Sequence, residues 1–276
     1  MDQAALKQHI QNTVLTAFAG KGMYYFPVAV SVRHVHLSKQ DFEKLFGQGK
    51  TMTSVKNLSQ PGQFACEEQV ELVGSKGALK NVRVLGPARK ESQVEISISD
   101  SFVLGIKPEI RMSGDLNGTP GCILSGPAGK LSLTQGVIVA ARHVHMSEEQ
   151  AAAYNIKEGD IISLKTPPPR EGILGGIIAR VGNNHNLEIH LDTDEANGNG
   201  ILCGSILEKE TAGTIGLSGK ITDFSGQAFE LITERDINNA YARGEKTLYC
   251  TARGLISPAA ADRAKEKGIS LCRLHG

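Results

Sequence analysis

The chain has 276 residues, enough for two modest domains that each bury a core of ordinary size. Its 30 Lys and Arg residues balance 29 Asp and Glu residues, so the net charge of +1 provides no strong field to recruit nucleic acid or an anionic membrane surface. The five cysteines include no CxxC pair, which argues against a disulfide scaffold. The sequence has no apolar run of about 18 residues, which argues against a membrane span, and no basic leader ahead of an apolar stretch, which argues against secretion. We therefore expect a cytoplasmic protein.

The first predicted element is an amphipathic helix within residues 1–20. Leu15 widens its apolar stripe, and Gly20 ends the pattern. The residues of the stripe recur at helical spacing: Leu6, Ile10, Val14 and Phe18. Two interpretations stay open, because the helix can pack on its own domain or act as a terminal peptide that docks on another protein.

From Pro27 onward, short apolar or alternating runs predict β-strands separated by Gly, Pro, Asn and Asp. The runs are VAVSV, EEQVELVG, NVRVLG, SQVEISIS, KLSLT, GVIVAA, DIISLKT, GIIARVG and LEIHLD. The 31 glycines and the aromatic content of only 5% also favour short strands over long helices. The predicted fold is therefore mainly β, with barrels or sandwiches.

One octet occurs twice, as SVRHVHLS at residues 31–38 and as AARHVHMS at residues 140–147. Each copy ends a predicted strand, carries two histidines and finishes on a serine that can cap a following helix. These helices are predicted at residues 39–46 and 148–154. Because a whole supersecondary unit recurs, the sequence indicates a duplication with two related barrels.

Residues 211–276 have a different pattern. A helix is predicted from Glu234, a strand near residues 248–250, and a second helix that begins at Pro258 and ends at Gly268. This segment is expected to form a small α/β C-terminal appendage.

Each octet places two histidines at positions i and i+2, which project from the same face of a strand and can converge on one metal ion. One such pair is equally typical of core or surface histidines. Two pairs in matched contexts, His34 with His36 and His143 with His145, hold half of the eight histidines of the chain. We therefore predict metal binding at these pairs.

The predicted ligand set extends to His190 in LEIHLDTDE and to Glu95 in SQVEISIS. On an extended segment, Asp192 and Asp194 would point the same way as His190, either orienting imidazole N–H groups or forming a solvated strand end. Glu95 taken alone is typical of a solvated strand. Five imidazoles and one carboxylate would nevertheless give each of two ions three ligands and an open position, which favours catalytic zinc.

Arg89, after the Gly-Pro turn of LGPARKES, is a candidate phosphate ligand because a guanidinium offers a rigid fork of donors; a surface arginine is the alternative. Arg33 and Arg142 adjoin the histidine pairs but alternate to the opposite face, so we interpret them as structural. The loop SGDLNGTPG lacks the features of a dinucleotide site and is expected only to line the cavity. No Cys or Ser lies in a recognisable nucleophile setting.

These motifs together resemble the PduL-type phosphate propanoyltransferases of bacterial microcompartments over roughly residues 20–205. The segments that carry the resemblance are RHVHLS, LSQPGQFACEEQV, LKNVRVLGPARKESQVEIS, LGI…RMSGDLNGTPG, GVIVAARHVHMS and LEIHLDTDEANG. The resemblance implies two tandem β-barrels with short capping helices and two zinc ions at their junction. The first barrel would comprise residues 23–32 and 141–210, and the second residues 33–140 with a short ribbon insertion. Residues 211–276 are a departure, since typical members lack them.

Carried over to this sequence, the resemblance implies that Arg89 contacts phosphate and that six side chains bind zinc: His34, His36, Glu95, His143, His145 and His190. The implied activity is direct transfer of a short acyl group between coenzyme A and inorganic phosphate. The start of the chain is similar to the encapsulation peptides of the family, which implies a location inside a microcompartment and shell or core proteins as partners. A homo-oligomer stays open.

Two other functions remain alternatives at this point. A dizinc hydrolase of a small ester or phosphate would also use paired HxH motifs. A non-catalytic protein of a shell, held together by zinc, would need the same ligands but no open coordination position.

Overall fold

The computed structural model describes residues 3–210, 228–244 and 246–273. The chain divides into two compact units, with the boundary between residues 213 and 214. No helix within the described ranges combines the length and the apolar character needed to cross a bilayer. The stretch from 211 to 227, where the predicted appendage begins, lies outside the described residues.

Helices are short in the described part of the chain, apart from the first. Their bounds are α1 Gln3–Ala19, α2 Lys39–Phe46, α3 Ile98–Leu104, α4 Glu148–Tyr154, α5 Thr193–Gly198, α6 Glu234–Ala242 and α7 Pro258–Lys267.

Strands contain more residues than helices in the described part of the first unit. Their bounds are β1 Tyr25–Ser31, β2 His34–His36, β3 Ser54–Asn57, β4 Phe64–Val73, β5 Ala78–Gly86, β6 Gln93–Glu95, β7 Glu109–Arg111, β8 Ile123–Ser125, β9 Lys130–Ser132, β10 Val137–Ala140, β11 His143–Met146, β12 Ile161–Thr166, β13 Gly172–Val181, β14 Glu188–Asp192 and β15 Ile206–Glu208. The second unit contains β16 Ala228–Ile232, β17 Thr247–Ile256 and β18 Ser270–Arg273.

A six-stranded sheet in the order β12-β13-β11-β14-β1-β15 forms a nearly closed barrel. Its two edges meet at a bridge between Leu164 and Lys209 and at a hydrogen bond of 2.8 Å from the Glu210 amide to the Ser163 carbonyl. Inward-facing apolar residues of this sheet pack with Tyr154 of α4 in one hydrophobic core.

A nine-stranded sheet in the order β7-β10-β6-β2-β5-β4-β8-β9, with β3 added on β4, forms a half-barrel over a second core. The mainly β prediction is therefore confirmed, and the structure has one nearly closed barrel-like sheet and one half-barrel in place of two complete barrels. The division of residues 23–210 into two barrel domains stays a prediction.

The chain passes from one sheet to the other inside each octet. Strand β1 lies in the six-stranded sheet and β2 in the nine-stranded sheet, whereas β10 lies in the nine-stranded sheet and β11 in the six-stranded sheet. Only two residues separate the strands of each crossing. Because both crossings join the same two sheets, the histidine pairs that follow them meet at one junction.

The two sheets repeat the same strand arrangement around the histidine pairs. Each pair lies on a strand with a parallel neighbour on one side and an antiparallel neighbour on the other. The antiparallel partners are His34 with Glu95 and His36 with Gln93 in one sheet, and His143 with His190 and His145 with Glu188 in the other. Glu95 and His190 are therefore equivalent positions of the duplication.

Helix α1 packs on the six-stranded sheet through the margin of the predicted apolar stripe, where Leu15 lies, and not through its centre. Leu15 and Ala19 are buried in the core beneath α4. The predicted stripe is largely on the surface, with 38 to 53% of each residue exposed: Leu6, Ile10, Val14 and Phe18. Phe18 makes an edge-to-face contact with Tyr25, with ring centroids 5.7 Å apart. The helix thus docks on its own domain and still presents an apolar stripe.

One strand and one extended segment are shorter than predicted because a capping box ends each of them. The run SQVEISIS leaves its strand after Glu95, since Ser97 and Asp100 cap α3 reciprocally. The run LEIHLDTDE leaves its strand at Asp192, which caps α5 together with Glu195. Asp194 therefore lies in a helix and not on the extended segment that was expected.

The second unit is a three-stranded parallel sheet, β16-β17-β18, with α6 and α7 as its crossovers. Thr233 precedes α6, and Ser257 caps α7 before Pro258. Gly268 ends α7 with φ of 66°, a left-handed conformation that favours glycine. These bounds agree with the helices expected from the sequence.

Candidate metal-binding site

The junction of the two sheets contains a cavity of about 530 Å³. Its lining includes all seven predicted site residues: His34, His36, Arg89, Glu95, His143, His145 and His190. They come from strands β2, β6, β11 and β14 and from the loop after β5, so distant parts of the sequence converge here. The six predicted ligands fall into two groups of three, each with its ligand atoms within 4.8 Å of one another.

The first group, which we call the first cluster, is His34, His36 and Glu95. The Glu95 carboxylate lies 3.4 Å from Nε2 of His34 and 3.8 Å from Nε2 of His36. The Nδ1 atom of His34 donates to the Val32 carbonyl at 2.8 Å, so its Nε2 is turned toward the carboxylate. All three side chains are buried.

Arg89 places its guanidinium beside the first cluster. One terminal nitrogen lies 2.8 Å from Nε2 of His36, and the other donates to the Ser113 hydroxyl at 2.9 Å. Ser113 donates to Glu95 at 3.1 Å, and Gln93 donates to both Glu95 and Ser113. The loop SGDLNGTPG thus lines the cavity through Ser113, as expected.

The second group, the second cluster, is His143, His145 and His190. Nε2 of His143 lies 3.2 Å from Nε2 of His145, and Nδ1 of His143 donates to the Ala141 carbonyl at 2.8 Å. Two nitrogens each about 2.0–2.1 Å from a tetrahedral zinc ion would be roughly 3.3 Å apart, so the spacing of this pair fits zinc ligation.

Glu188 holds the third member of the second cluster. Its carboxylate lies 3.1 Å from Nε2 of His190 and also accepts hydrogen bonds from the Ser59 hydroxyl and from Gln60. Gln60 and Asn186 bond each other reciprocally at 3.1 Å through side-chain and backbone groups. A loop of the half-barrel is thereby fastened to the strand that carries His190.

Burial keeps most of the cluster imidazoles neutral. Burial together with the neighbouring imidazole lowers the pKa of His36 to about 3, of His143 to about 4 and of His145 to about 2. Burial also lowers the pKa of His34, but the Glu95 carboxylate more than offsets it, so the net shift is upward. Neutral imidazoles present the lone pairs that a metal ion requires.

Charged groups around the cavity favour anionic ligands. Burial would raise the pKa of Glu95, but His34, His36 and Arg89 hold it well below its ordinary range, so Glu95 is ionised. Burial lowers the pKa of the Arg89 guanidinium, and the nearby Arg180 adds to this effect. Within the described part of the chain, neither arginine has a carboxylate partner at salt-bridge distance. Lys56 and Arg83 add two more cations to the lining.

Four other predicted residues lie away from the metal groups. Arg33 pairs with Asp100 at 2.6 Å and Arg142 with Glu195 at 2.7 Å, which agrees with their structural interpretation. Neither aspartate orients an imidazole, contrary to one expected alternative, since Asp192 caps α5 and Asp194 accepts a hydrogen bond from the Ser99 amide at 2.7 Å.

Sequence reasoning missed three residues of the site, Gln93, Arg180 and Glu188, and identified only the loop that contains Ser113. Strand alternation could have identified Gln93 and Glu188, because each precedes a predicted ligand by two positions. Arg180 lies next to His145 because strands β11 and β13 pair, and this pairing cannot be predicted from the local sequence. No local signal identifies Ser113.

The family model described as phosphate propanoyltransferase matches residues 27–202. A phosphate propanoyltransferase of Thermotoga maritima is 53% identical over 171 residues, covering 62% of this chain and 81% of that protein. One from Salmonella typhimurium is 47% identical over 195 residues, covering 70% and 92%, respectively. One from Sebaldella termitidis is 39% identical over 215 residues, covering 78% and 99%.

Proposed function

This chain belongs to the phosphate propanoyltransferase family, and from that premise we propose that it exchanges a short acyl group between coenzyme A and inorganic phosphate. In the forward direction, acyl-CoA and phosphate give acyl phosphate and free CoA. The observation that carries the proposal is the convergence of two three-ligand groups and a guanidinium on one cavity. The cavity lining includes five cationic side chains, of which Arg33 is paired with Asp100. Such a lining suits two substrates that both carry phosphate groups.

We propose zinc as the metal of both clusters. Five imidazoles and one carboxylate without any thiolate suit zinc better than magnesium or calcium. Burial lowers the pKa of His36, His143 and His145, which keeps these three imidazoles neutral as ligation requires. Three protein ligands leave a fourth position for substrate at each cluster. When bound, zinc supplies a Lewis acid that stabilises a thiolate and polarises oxygen.

In the proposed reaction, Arg89 binds phosphate beside the first cluster and neutralises part of its charge. A phosphate oxygen forms a bond to the thioester carbonyl carbon, the carbon–sulfur bond breaks, and its electron pair leaves with the CoA sulfur as thiolate. Ser113 and Gln93 fix the guanidinium and the Glu95 carboxylate through hydrogen bonds of 2.5 to 3.1 Å. Such preorganised charge stabilises the developing oxyanion more than a mobile side chain would. Both substrates are bound together, so transfer is direct.

A dizinc hydrolase is the competing enzyme class, and phosphate dependence separates it from transfer. We expect thiol release from propionyl-CoA only when phosphate is present, with the acyl phosphate trapped as a hydroxamate. Thiol release without phosphate would identify a hydrolase. Zinc-loaded protein without activity on acetyl-, propionyl- or butyryl-CoA would favour the non-catalytic shell protein, and the same series establishes which acyl length is used.

We also propose that the exposed stripe of α1 attaches the enzyme to shell or core proteins of a microcompartment in the cytoplasm. Leu15 and Ala19 anchor the helix, while Ile10 and Val14 face outward, so outward residues can be changed without opening the core. The double variant Ile10→Glu and Val14→Glu should lose co-purification with a microcompartment but keep catalytic rate. A matched control, His9→Glu, changes charge on an exposed position outside the stripe and should stay with the compartment.

A further inference from the structure

The two clusters differ most at equivalent positions of the duplication. The third member is a carboxylate, Glu95, in the first cluster and an imidazole, His190, in the second. Two residues earlier on the same strand, each has a hydrogen-bonding partner, Gln93 or Glu188. The carboxylate faces an amide donor, and the imidazole faces a carboxylate acceptor. The polarity of the partner thus changes together with the polarity of the ligand.

Hydrogen bonds fix which ring nitrogen carries the proton in three of the histidines. A neutral imidazole has one N–H donor and one acceptor nitrogen. Carbonyl oxygens can only accept, so Nδ1 carries the proton in His34, which bonds to Val32, and in His143, which bonds to Ala141. The Nε2 atom of the neutral His143 therefore holds its lone pair, whereas Nε2 of His34 faces the Glu95 carboxylate at 3.4 Å.

His190 has the opposite arrangement. Its Nε2 lies 3.1 Å from Glu188, and an ionised carboxylate is an acceptor only, so Nε2 must carry the proton. The lone pair of His190 is then on Nδ1. Among the described residues, the group whose ligand atoms lie within 4.8 Å of one another contains His143, His145 and His190 but not Glu188.

Glu188 is itself held rigidly. Ser59 and Gln60 donate to its carboxylate, and Gln60 is buried to 3% exposure while it clamps Asn186 through two hydrogen bonds. The Asn186 side chain donates to the Ser59 carbonyl at 2.6 Å. The carboxylate is therefore fixed from the half-barrel while it contacts a histidine of the six-stranded sheet.

We propose that Glu188 is a positioning residue that selects the Nε2–H tautomer of His190, so that His190 presents Nδ1 to the metal while His34 and His143 present Nε2. A carboxylate behind a ligand histidine fixes ring orientation and raises the basicity of the ligating nitrogen. This inference rests on the proposed metal site for its function. The tautomer of His190 can also be measured in the metal-free chain, so the tautomer assignment and the proposed metal site are tested separately.

Long-range ¹H–¹⁵N correlation spectra of the full chain with labelled histidine test the proposal directly. A His190→Gln variant assigns the His190 signals. In the zinc-free chain, His190 should give the pattern of the Nε2–H tautomer and His143 that of the Nδ1–H tautomer. Added zinc should then shift Nδ1 of His190. A proton on Nδ1 of His190, or a zinc-induced shift of its Nε2, would overturn the assignment whether or not the protein is active.

Variants separate positioning from a purely structural role. In a His34→Ala background that isolates the second cluster, Glu188→Ala should weaken zinc binding about 10- to 100-fold in a chelator competition. Glu188→Gln retains an oxygen that can accept from His190 and should recover most of that affinity and the tautomer pattern. Equal zinc affinity in all three proteins contradicts the proposal. If Glu188→Ala does not fold, the spectra of the unsubstituted chain still decide it.

Discussion

The two clusters share a strand framework and differ in charge. Each combines an HxH strand, an antiparallel strand that brings the third ligand, and a helix that begins three residues beyond that ligand. In the first cluster the third ligand is a carboxylate, with Arg89 beside it. In the second cluster the third ligand is an imidazole, and a carboxylate, Glu188, lies two residues earlier on the same strand.

This difference indicates how a duplicated site can become two unequal halves. The backbone repeat fixes where the ligands stand, whereas the side chain at one position decides the charge of the ligand group. A negative ligand group next to Arg89 and a neutral one near Arg180 give the two sides of the cavity different electrostatics. The arrangement suits one phosphate and one thioester better than two identical reactants.

Removal of a cluster imidazole should have the largest effect. His143→Ala leaves the second cluster with two ligands, so we expect loss of turnover and loss of one zinc ion per chain, measured by thiol release and by metal analysis. His34→Ala should do the same for the first cluster. An alanine variant that keeps the wild-type rate after chelation would show that the residue is not a ligand.

Removal of the guanidinium should act on one side of the cavity only. We expect Arg89→Ala to cost about 2–4 kcal/mol of transition-state stabilisation, the range found for preorganised donors, seen as a lower kcat/KM for phosphate. Zinc content should stay at two ions. Arg89→Lys keeps the charge without the fork of donors, so its kcat/KM for phosphate should lie between the values of the wild type and of Arg89→Ala. An unchanged phosphate dependence would remove Arg89 from the reaction.

Conversion of the first cluster into a copy of the second would test whether the residue two positions before the third ligand must match the polarity of that ligand. In Glu95→His, the amide of Gln93 would oppose an imidazole N–H, so zinc affinity at the first cluster should fall about 10- to 100-fold. The double variant with Gln93→Glu supplies an acceptor and should recover affinity in a chelator titration. If the second substitution restores nothing, the partner two residues before the ligand has no role in orientation.

Acidification should affect the second cluster more than the first. The pKa values of His143 and His145, about 4 and about 2, lie below the unfolded value of about 6.5. Below that value the unfolded chain binds protons that these folded histidines do not, so the free energy of unfolding falls as pH falls. His34, with its raised pKa, has the opposite sign and offsets His36 in the first cluster.

Urea unfolding of the zinc-free chain between about pH 7 and about pH 5 measures this difference. His145→Gln should flatten the loss of stability with falling pH, whereas His34→Gln should steepen it, because each variant removes one of the opposing contributions. Equal slopes for both variants would contradict the assigned protonation states.

The smallest effects are expected on the outer faces of the two crossings. Arg33→Ala leaves the buried Asp100 without its ion pair and should cost about 1 kcal/mol of stability, since Arg33 itself is partly exposed. Arg142→Ala should cost less, because Glu195 is more exposed than Asp100. Thermal unfolding measures both. Zinc content should be unchanged, and its loss would show that these arginines support the clusters.

The repeat made much of the site predictable from sequence. The two HxH pairs indicated metal binding, and alternation along LEIHLD placed His190 on a strand face. Glu95 and Arg89 became firm site candidates only through the resemblance to the family. The crossing of the chain between sheets could not be predicted, because pairing between β1 and β14 or β10 and β6 joins residues far apart in sequence. The end of the Glu95 strand was missed although Ser97 and Asp100 spell a capping box.

The stripe of α1 shows the limit of periodicity as a guide. Spacing identified the helix and the buried Leu15 correctly, but the four central residues of the predicted stripe are exposed, and Ala19, outside the stripe, is buried. Which side of an apolar helix is buried depends on the tertiary partner, here β1 and α4, and short-range spacing contains no information about that partner.

Anomalous diffraction at the zinc edge, from crystals of the zinc-loaded full chain, tests the central claim most directly. Two peaks are predicted, one among His34, His36 and Glu95 and one among His143, His145 and His190, each with a coordination position open to the cavity. A single peak, peaks away from these side chains, or ions enclosed by four protein ligands would contradict the account.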